Sequence, residues 1–419
     1  MGRQEPVGRG HGGSGDPCGA PVPWERARAA ARRLGERSRP GAAAREPLAG
    51  ALGATLAEDL VALVGIPSYD AAAMDGYAVA GAGPWTVVGR ALAGGGPSVG
   101  LRPGQAVEIA TGAVVPEGAL AVLPYESARR SGRTVAGEVQ PERHVRRRGE
   151  DTAAGTAVLP SGTVVTPTVL GLAASLGYDT LTVRRPRIAA LVTGDEIALA
   201  GVPAPGAVRD AIGPMLPGLA AWAGARLDRV DRLADGAADL ASALHDAARR
   251  PAGSVLVVCG ASSRGPADHL RAVLDEAAAT VLVDGVACRP GHPQLLAHTG
   301  PPDRPETLVV GLPGNPHAAL AAGLTLLVPL LAALGGRPDP ASGGAGAPPR
   351  LPVRGDVRPH GADTRLVPVR IDADGEAACA RPVGHDRPGT LRGAAGADAL
   401  AVLPPGWSGP DAELLWLPR

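Results

Sequence analysis

A strand, a glycine-bearing turn and a helix follow one another in the stretch VVGLPGNPHAAL, residues 309–320, and this order requires an α/β arrangement. Residues 307–310 (TLVV) are β-branched and apolar, which is typical of a buried strand. Asn315 and Pro316 then stand where a helix prefers its N-cap and its first residue. We expect the unpaired N–H groups of this helix to point outward and to attract a phosphate or another oxyanion. An ordinary α/β turn is the alternative interpretation.

The asparagine in this turn is unusual for the chain. Asn315 is the only asparagine, and the sequence contains no lysine and no phenylalanine, whereas it has Gly 60 and Pro 43. This composition indicates a bias against residues with A/T-rich codons. An asparagine that persists under such a bias favours a functional role, although helix capping alone could also require it.

The composition of the chain limits which class of protein it can belong to. The 419 residues suggest two to four domains, and with aromatic residues at 2% the cores must consist of alanine, valine and leucine. A formal net charge of +0 and a pI of about 7.1 argue against a surface for nucleic acid or for an anionic membrane. The charge run RHVRRRGED (143–151) is typical of a solvated face. Four scattered cysteines predict neither a disulfide framework nor a zinc site, and favour the reducing cytoplasm.

Two segments resemble targeting or membrane sequences. Residues 1–21 are rich in glycine and arginine without an apolar core, which predicts a disordered tail and not a signal peptide. Residues 318–336 are long and apolar enough for a membrane span, but they contain Pro329 and continue directly from the turn at Asn315. A core helix is the better interpretation, and we expect no membrane association.

From Arg187 onward, buried-type strands alternate with helical runs. This rhythm predicts a parallel sheet with right-handed crossovers, in which ligands gather at the carboxyl ends of the strands. The predicted strands are 187–193, 254–260, 280–286 and 307–313, and the predicted helices are 214–225, 236–250 and 266–278. Short strands and turns predict a β-rich domain over 85–138, and a linker at 335–350 precedes a small β-barrel or sandwich.

Each predicted strand ends in a polar or glycine-bearing turn. These turns supply Gly194, Asp195 and Glu196, then Ser262, Ser263 and Asp268, then Arg289 and His292, and finally Pro313, Gly314, Asn315 and Pro316. Each has an ordinary explanation by itself: Asp268 can favour a helix dipole, the serines can cap, and a lone histidine is usually a surface residue. Together they suit a phosphorylated ligand bound with Mg²⁺, which needs one or two carboxylates plus substrate phosphates.

Six motifs carry a resemblance to a known family. MDGYAV (74–79), IATGAVVPEGA (109–119), RRRGED (146–151), VTGDEI (192–197), GASSRGPAD (260–268) and LPGNP (312–316) resemble, in order and spacing, the molybdopterin molybdenumtransferase family. That family includes the C-terminal part of gephyrin, and the resemblance covers roughly residues 22–419. It implies a transferase of molybdenum cofactor biosynthesis that inserts molybdate into adenylylated molybdopterin and releases AMP, with a divalent metal such as Mg²⁺.

The resemblance also implies a multi-domain α/β fold and a homodimer. The implied domains are an elongated linker domain (22–49 and 143–185), an inserted β-rich domain (50–142), a central parallel-sheet α/β domain that binds molybdopterin (186–336), a linker (337–347) and a C-terminal β-barrel (348–419). In the family's dimer, the inserted domain of one subunit faces the α/β domain of the other, which makes the active site composite.

Matching the motifs residue by residue gives the expected site. The expected catalytic residues are Asp75, Thr111, Asp151, Glu196 and Asp268, of which Asp75, Glu196 and Asp268 are also the expected metal ligands. The expected substrate-binding residues are Ser263, Arg289, His292, Pro313, Gly314, Asn315 and Pro316. Metal and N–H or cationic groups suit this reaction because breaking a phosphoanhydride develops negative charge.

Several positions depart from the family pattern. Ala71, Ala72, Leu120, Ala211 and Ile212 replace polar residues, while Arg289 and His292 stand at two lysine positions. These changes leave a second hypothesis open, a catalytically weak paralogue that carries molybdopterin or acts as a scaffold. A third, a pterin adenylyltransferase, needs neither the 74–79 segment nor the C-terminal barrel, so the additional domains count against it.

Overall fold

The structure is a computed structural model that divides the chain into two compact units. It describes residues 20–38, 43–95, 100–250, 254–260, 262, 265, 268–301, 303–343, 349–373 and 378–418. The smaller unit spans 43–184, and the larger unit combines the N-terminal segment with residues 185–419. The larger unit therefore begins with strand β1 (Val22–Pro23) and helix α1 (Trp24–Arg37), before the chain enters the smaller unit.

The smaller unit consists of short strands and two short helices. In chain order these elements are β2 (Ala44–Pro47), α2 (Leu48–Ala51), β3 (Thr55–Leu56), β4 (Leu60–Val61), β5 (Ala71–Ala72), β6 (Gly76–Val79), β7 (Trp85–Ala91), β8 (Gln105–Ile109), β9 (Ala121–Pro124), β10 (Arg129–Ser131), β11 (Thr134–Ala136), β12 (Val145–Arg146), β13 (Ala157–Leu159), α3 (Pro167–Ser175) and β14 (Thr180–Arg184). Six of the strands form one sheet in the order β10-β11-β7-β8-β6-β9. This sheet lies in the segment where the sequence predicts a β-rich domain.

The predicted boundary at residue 50 does not coincide with a boundary between cores. Ala51, Leu56 and Leu60 share a hydrophobic core with Val165, Leu176 and other residues of 158–183. The first of the cores formed by the six-stranded sheet begins at Ala72. Residues 50–66 therefore pack with the segment that the sequence assigns to the linker domain, because their apolar side chains face α3 and β14.

The larger unit carries the longest strands and helices. In chain order its remaining elements are β15 (Arg187–Thr193), β16 (Ile197–Ala198), β17 (Val208–Arg209), α4 (Leu216–Trp222), β18 (Arg226–Leu233), α5 (Ala237–Ala248), β19 (Ser254–Cys259), α6 (Leu270–Glu276), β20 (Thr280–Asp284), β21 (Val286–Arg289), β22 (Leu295–His298), β23 (Leu308–Leu312), α7 (Pro316–Ala322), α8 (Val328–Leu334), β24 (Arg350–Pro352), β25 (Thr364–Asp372), β26 (Cys379–Pro382), α9 (Arg392–Ala395), β27 (Ala399–Leu403) and β28 (Asp411–Trp416). The α/β sheet has the order β18-β15-β19-β23-β22-β20.

This sheet is mixed, and the expectation of a purely parallel sheet is wrong. Strands β18, β15, β19 and β23 are parallel, but β22 runs antiparallel to β23 and β20 runs antiparallel to β22. The chain reverses between β20 and β22 through the short strand β21 and the turn at Gly291. A reversal of this length leaves no room for a crossover helix, so the second strand must pair antiparallel.

The C-terminal strands form one sheet with β1 and β21. Its order is β1-β21-β25-β27-β28-β24, with β26 paired to β25. A bridge between Val353 and Ala380 joins the β24 end to β26, so the C-terminal strands curl into a closed arrangement. Their core is small and aliphatic, with Val369, Leu403 and Leu414 at its centre. The strand β21 therefore links the α/β domain to the C-terminal domain by backbone hydrogen bonds.

Helix α1 packs on α8 in the larger unit, although the sequence assigned residues 22–49 to the linker domain. Ala27, Ala31 and Leu34 form a buried stripe at helical spacing. Gly35 lies so close to α8 that a Cβ atom there would be 2.5 Å from the Leu330 carbonyl oxygen. The small residues of α1 therefore bring the two helices together.

The apolar segment after Asn315 is a buried helix. It runs over Pro316–Leu334 with a π-helical turn at Gly323–Leu327 between α7 and α8. Within the described residues it is the one helix long and apolar enough to cross a membrane, but 94% of its apolar window is buried inside the protein. Trp24 of α1 donates to Thr325 Oγ1 at 3.1 Å, so the π turn has a hydrogen-bonded partner.

The three cysteines that the structure describes form no disulfide and are buried. Cys259, Cys288 and Cys379 are free thiols, and Cys18 lies outside the described residues. Burial raises the pKa of Cys288 to about 12 and also raises the pKa of Cys259. Both therefore pack as small apolar side chains and not as reactive thiols.

Candidate active site

The first cluster joins two motifs that lie far apart in the sequence. Asp75 precedes β6, and Thr111 follows β8, its neighbour in the sheet. Asp75 Oδ1 accepts hydrogen bonds from the Thr111 backbone N–H at 2.6 Å and from Thr111 Oγ1 at 3.0 Å. The backbone hydrogen bond from Thr111, then its hydroxyl, hold the pKa of the Asp75 carboxyl below its usual range. Asp75 is therefore an exposed, ionised carboxylate in a fixed orientation.

A second carboxylate, Asp70, anchors the loop at 146–151. Its Oδ2 accepts from Arg147 at 2.5 Å and its Oδ1 from the Arg148 backbone N–H at 2.8 Å. The Arg148 N–H is the main cause that lowers the pKa of Asp70. Asp151 follows in this loop with its side chain exposed, and within the described residues no hydrogen bond joins it to Asp75 or Thr111. The structure thus brings Asp75 and Thr111 together and places Asp151 on a separately anchored loop.

Three strand ends meet at one edge of the α/β sheet. A Cβ atom at Gly260, which follows β19, would lie 2.8 Å from the Thr193 carbonyl oxygen at the end of β15. A Cβ atom at Gly314, in the turn after β23, would lie 3.7 Å from the Gly260 Cα. The Gly260 N–H also donates to the Leu312 carbonyl at 3.0 Å. Glycines at these ends allow the turns to touch, as expected for a binding edge.

Two expected carboxylates follow these strands. Glu196 is exposed and folds back over Gly194, and its carboxylate accepts no hydrogen bond from the described part of the chain, although its backbone carbonyl accepts from the Val208 N–H at 2.9 Å. Asp268 Oδ2 accepts from the Gly265 N–H at 2.7 Å and so closes the loop after β19. Ser262 in that loop is buried and donates to the Pro293 carbonyl at 2.8 Å, which is a structural role. Ser263, an expected substrate ligand, lies outside the described residues.

The turn between β21 and β22 presents the two expected cationic side chains. The Arg289 Nε–H donates to Asp363 Oδ2 at 2.8 Å, while 61% of the Arg289 side chain stays exposed. Asp363 itself is nearly buried in the C-terminal domain, so it fixes the guanidinium from one side. His292 is exposed; its backbone carbonyl accepts from the N–H groups of Val286 and Gln294, and its side chain has no hydrogen bond within the described residues. Arg289 can therefore present its remaining N–H groups to an anion.

The N-terminus of α7 differs from the expectation of free, outward-pointing N–H groups. The backbone N–H groups of His317 and Ala318 both donate to the Pro388 carbonyl, at 2.9 and 3.3 Å. Asn315 occupies the N-cap position with Pro316 next, as predicted, but its side chain makes no capping hydrogen bond. The C-terminal domain thus caps this helix, which leaves the exposed Asn315 amide available, beside Gly314 and the buried Pro313.

No sequence motif pointed to His317, which lies fully buried beneath this turn. Its Nδ1 lies 3.3 Å from the Arg387 carbonyl and its Nε2 has no hydrogen-bond partner within the described residues. Desolvation by burial lowers its pKa, while the Arg387 carbonyl and the nearby Asp386 act in the opposite direction. His317 is therefore neutral at pH 7, and it ties α7 to the loop that precedes α9.

This buried imidazole predicts a specific loss of stability in acid. Because its pKa is lower folded than unfolded, the unfolded chain binds more protons, and stability falls as pH drops below the unfolded value of about 6.5. The loss continues to the folded pKa at up to about 1.4 kcal/mol per pH unit. We expect His317→Asn to remove this part of the pH dependence of chemical denaturation. His245→Asn, at an exposed histidine of α5, is the control, and a wild-type profile in His317→Asn would contradict the assignment.

Three family models together match nearly all of the described chain. The "MoeA N-terminal region (domain I and II)" matches residues 22–177, the "probable molybdopterin binding domain" matches 189–333, and the "MoeA C-terminal region (domain IV)" matches 350–411. The cluster at Asp75 lies in the first region, the sheet edge in the second, and the carbonyl of Pro388 in the third.

Relatives with similar sequences are named molybdopterin molybdenumtransferase. Molybdopterin molybdenumtransferase 2 of Mycobacterium tuberculosis is 36% identical over 313 residues, which cover 70% of this chain and 76% of the relative. The chain belongs to the molybdopterin molybdenumtransferase family. The Bacillus subtilis molybdopterin molybdenumtransferase is 30% identical over 372 residues, 84% of each chain. A crystal structure of a molybdopterin biosynthesis MoeA protein from Pyrococcus horikosii has a TM-score of 0.73 at 25% identity, covering 95% of this chain and 99% of that one.

Three of the residues that depart from the molybdenumtransferase pattern, Ala71, Ala72 and Ile212, are buried. Ala71 and Ala72 form β5 and are buried against β12. Ile212 is buried in the main core, while the neighbouring Asp210 Oδ1 accepts the N–H groups of Ile212 and Gly213 at 2.9 Å each. In this member of the family, these two alanines and Ile212 therefore pack in the interior. The Asp210 carboxylate stabilises a turn, because it accepts the two backbone N–H groups that follow it.

Proposed function

We propose that this chain inserts molybdate into adenylylated molybdopterin and releases AMP, as a molybdenumtransferase of molybdenum cofactor biosynthesis. The observation that carries the proposal is the family match across all three regions, 22–177, 189–333 and 350–411. The contact between Asp75 and Thr111 supports it, because two of the motifs that define the resemblance meet in space. We further propose a cytoplasmic homodimer whose composite site takes small-molecule substrates.

The candidate carboxylates can hold a divalent metal only if the substrate supplies further ligands to it. Within the described residues no three His, Cys, Asp or Glu side chains form a group that could hold a metal ion. Mg²⁺ usually binds through one or two carboxylates together with substrate phosphates and water. Glu196, whose carboxylate oxygens accept no hydrogen bond within the described residues, and Asp268 would hold it, with the partner subunit's Asp75 as the proposed third ligand. When bound, the metal would neutralise the charge of the phosphoanhydride.

The remaining residues orient the substrates and stabilise charge. The exposed N–H groups of Arg289 would contact an anionic oxygen of the substrate, and Asp363 keeps that guanidinium in place. The Asn315 amide, beside the touching turns of Gly260 and Gly314, would donate to or accept from the ligand. Preorganised donors of this kind stabilise developing negative charge without reorganising during the reaction.

The rival hypothesis of a catalytically weak carrier is not favoured, because the curated relatives are named transferases. The proposal is tested by expressing the chain in a host that lacks its own molybdenumtransferase. We expect molybdoenzyme activity to return, at least when molybdate is abundant. Folded protein that binds molybdopterin but fails to restore activity at high molybdate would favour the carrier.

Asn315→Ala is expected to weaken binding of adenylylated molybdopterin more than tenfold with little change in melting temperature. The reason is that the Asn315 side chain makes no capping bond, so only a ligand contact is lost. Titration calorimetry and thermal denaturation measure the two effects separately.

Thr166→Ala is the matched control for this variant. Thr166 caps α3, and its side chain accepts from the Val169 N–H at 3.3 Å. We expect it to lower stability by about 0.5–2 kcal/mol and leave ligand affinity unchanged. If Asn315→Ala instead behaves like Thr166→Ala, Asn315 has only a structural role.

A further inference from the structure

A cleft of about 560 Å³ lies beside the edge strand β9 in the smaller unit. Its polar walls come from the segment after β9 and from residues 137–144. The polar lining residues are Ser127, Arg129, Glu138, Gln140, Arg143 and His144. None of the residues assigned above to the transfer reaction lines this cleft, although a volume of several hundred Å³ is typical of small-molecule sites.

The polar lining of the cleft contains two arginines but a single carboxylate. Within the described residues, no hydrogen bond or ion pair engages the side chains of Arg129 or Ser127. Within the same residues, Arg143 donates to Gln140 Oε1 and to His144 Nε2, both at 3.3 Å, and forms no ion pair. Its positive charge therefore has no carboxylate partner, whereas nearby Arg147 is paired with Asp70 and Glu142. Glu138 is the single carboxylate in the wall.

The backbone that presents Arg143 is held in an uncommon conformation. Glu142 and His144, on either side of it, have φ values of 64° and 61°, in the left-handed region that non-glycine residues seldom adopt. Two sheet contacts impose this shape: the Val122 N–H donates to the Arg143 carbonyl at 3.1 Å, and the Ala73 N–H donates to the His144 carbonyl at 2.8 Å. An uncommon backbone conformation beside an arginine that lines a cleft and has no carboxylate partner is consistent with a binding role.

We propose that this cleft binds a small molecule that carries a diphosphate group. Two guanidinium groups without carboxylate partners match the charge of a diphosphate, and the Ser127 hydroxyl and the Gln140 amide can donate to its remaining oxygens. Arginine suits this task because its planar fork donates two parallel hydrogen bonds to phosphate oxygens. This site is additional to the transfer reaction and does not depend on it.

The test uses inorganic pyrophosphate as the probe and the full chain as the protein. Titration calorimetry measures affinity, and hydrogen exchange of residues 121–144 locates the binding. We expect pyrophosphate to slow exchange in this segment, and Arg129→Gln and Arg143→Gln each to weaken that binding at least about tenfold. Arg102→Gln, at an exposed arginine of the same unit outside the cleft, removes the same charge and should bind as the wild type does.

Two results would overturn the proposal. One is no change in exchange over 121–144 at millimolar pyrophosphate. The other is equal weakening by Arg102→Gln, which would reduce the effect to nonspecific charge attraction, screened equally by salt. Circular dichroism of the variants checks their fold, which the exposed positions of these arginines should leave intact.

Discussion

Asp75→Asn is expected to reduce transfer of molybdate by about 10²–10⁴-fold, the usual effect of removing a charged group at a reacting centre. An amide oxygen can still accept the two hydrogen bonds from Thr111, so the local geometry survives and only the charge is lost. Because Asp75 is exposed, we expect no fall in melting temperature. Single-turnover AMP release and thermal denaturation provide the measurements.

Asp70→Asn is the matched control for Asp75→Asn. It removes a carboxylate five positions away that holds the loop at 146–151 through Arg147 and Arg148. We expect a modest structural effect and a loss of activity below about tenfold, since exposed ion pairs contribute little. Equal losses in the two variants would mean that Asp75 acts through general loop order and not at the reacting centre.

The second large effect concerns the proposed composite site. Asp75 lies in the smaller unit and Asp268 in the larger one, and we propose that a dimer combines them across subunits. A purified heterodimer of one Asp75→Asn chain and one Asp268→Asn chain should then retain one intact site and about half of the wild-type activity. Each variant homodimer should be nearly inactive.

A wild-type chain paired with an Asp75→Asn/Asp268→Asn chain separates the two possible arrangements. If the site is composite, every site in this heterodimer contains one defect, and activity should be near that of the variants. If both residues act within one chain, the heterodimer should keep about half of the activity. A monomer by light scattering, or no activity in the first heterodimer, would contradict the composite site.

The sequence predicted those features of the fold that rest on strong local patterns. The runs that became β15, β19 and β23 are continuous apolar stretches, and their order and turns could be read directly. Strand β18 was missed because its sequence, RLDRVDRL, is mostly charged and places an apolar residue only at every third position, along an exposed edge. The antiparallel pairing of β22 was missed because strand direction depends on how the chain turns, not on composition.

The sequence motifs named candidate site residues, but the contacts of those residues could not be predicted. Asp75 and Thr111 could be named from their motifs, whereas their hydrogen bond depends on the pairing of β6 with β8. The capping of α7 by the Pro388 carbonyl could not be predicted, because a backbone carbonyl from another domain leaves no signature in the sequence. For the same reason the sequence could not predict that α1 packs on α8: its apolar stripe shows that it packs, but not on which surface.

The most direct measurement is AMP release by the purified chain supplied with adenylylated molybdopterin, Mg²⁺ and molybdate. A molybdenumtransferase should release AMP in step with formation of the molybdenum cofactor, the cofactor should form only when molybdate is present, and Asp75→Asn should slow both by about 10²–10⁴-fold. Adenylylated molybdopterin that stays bound and intact at saturating molybdate, in protein shown to be folded, would contradict the proposed reaction.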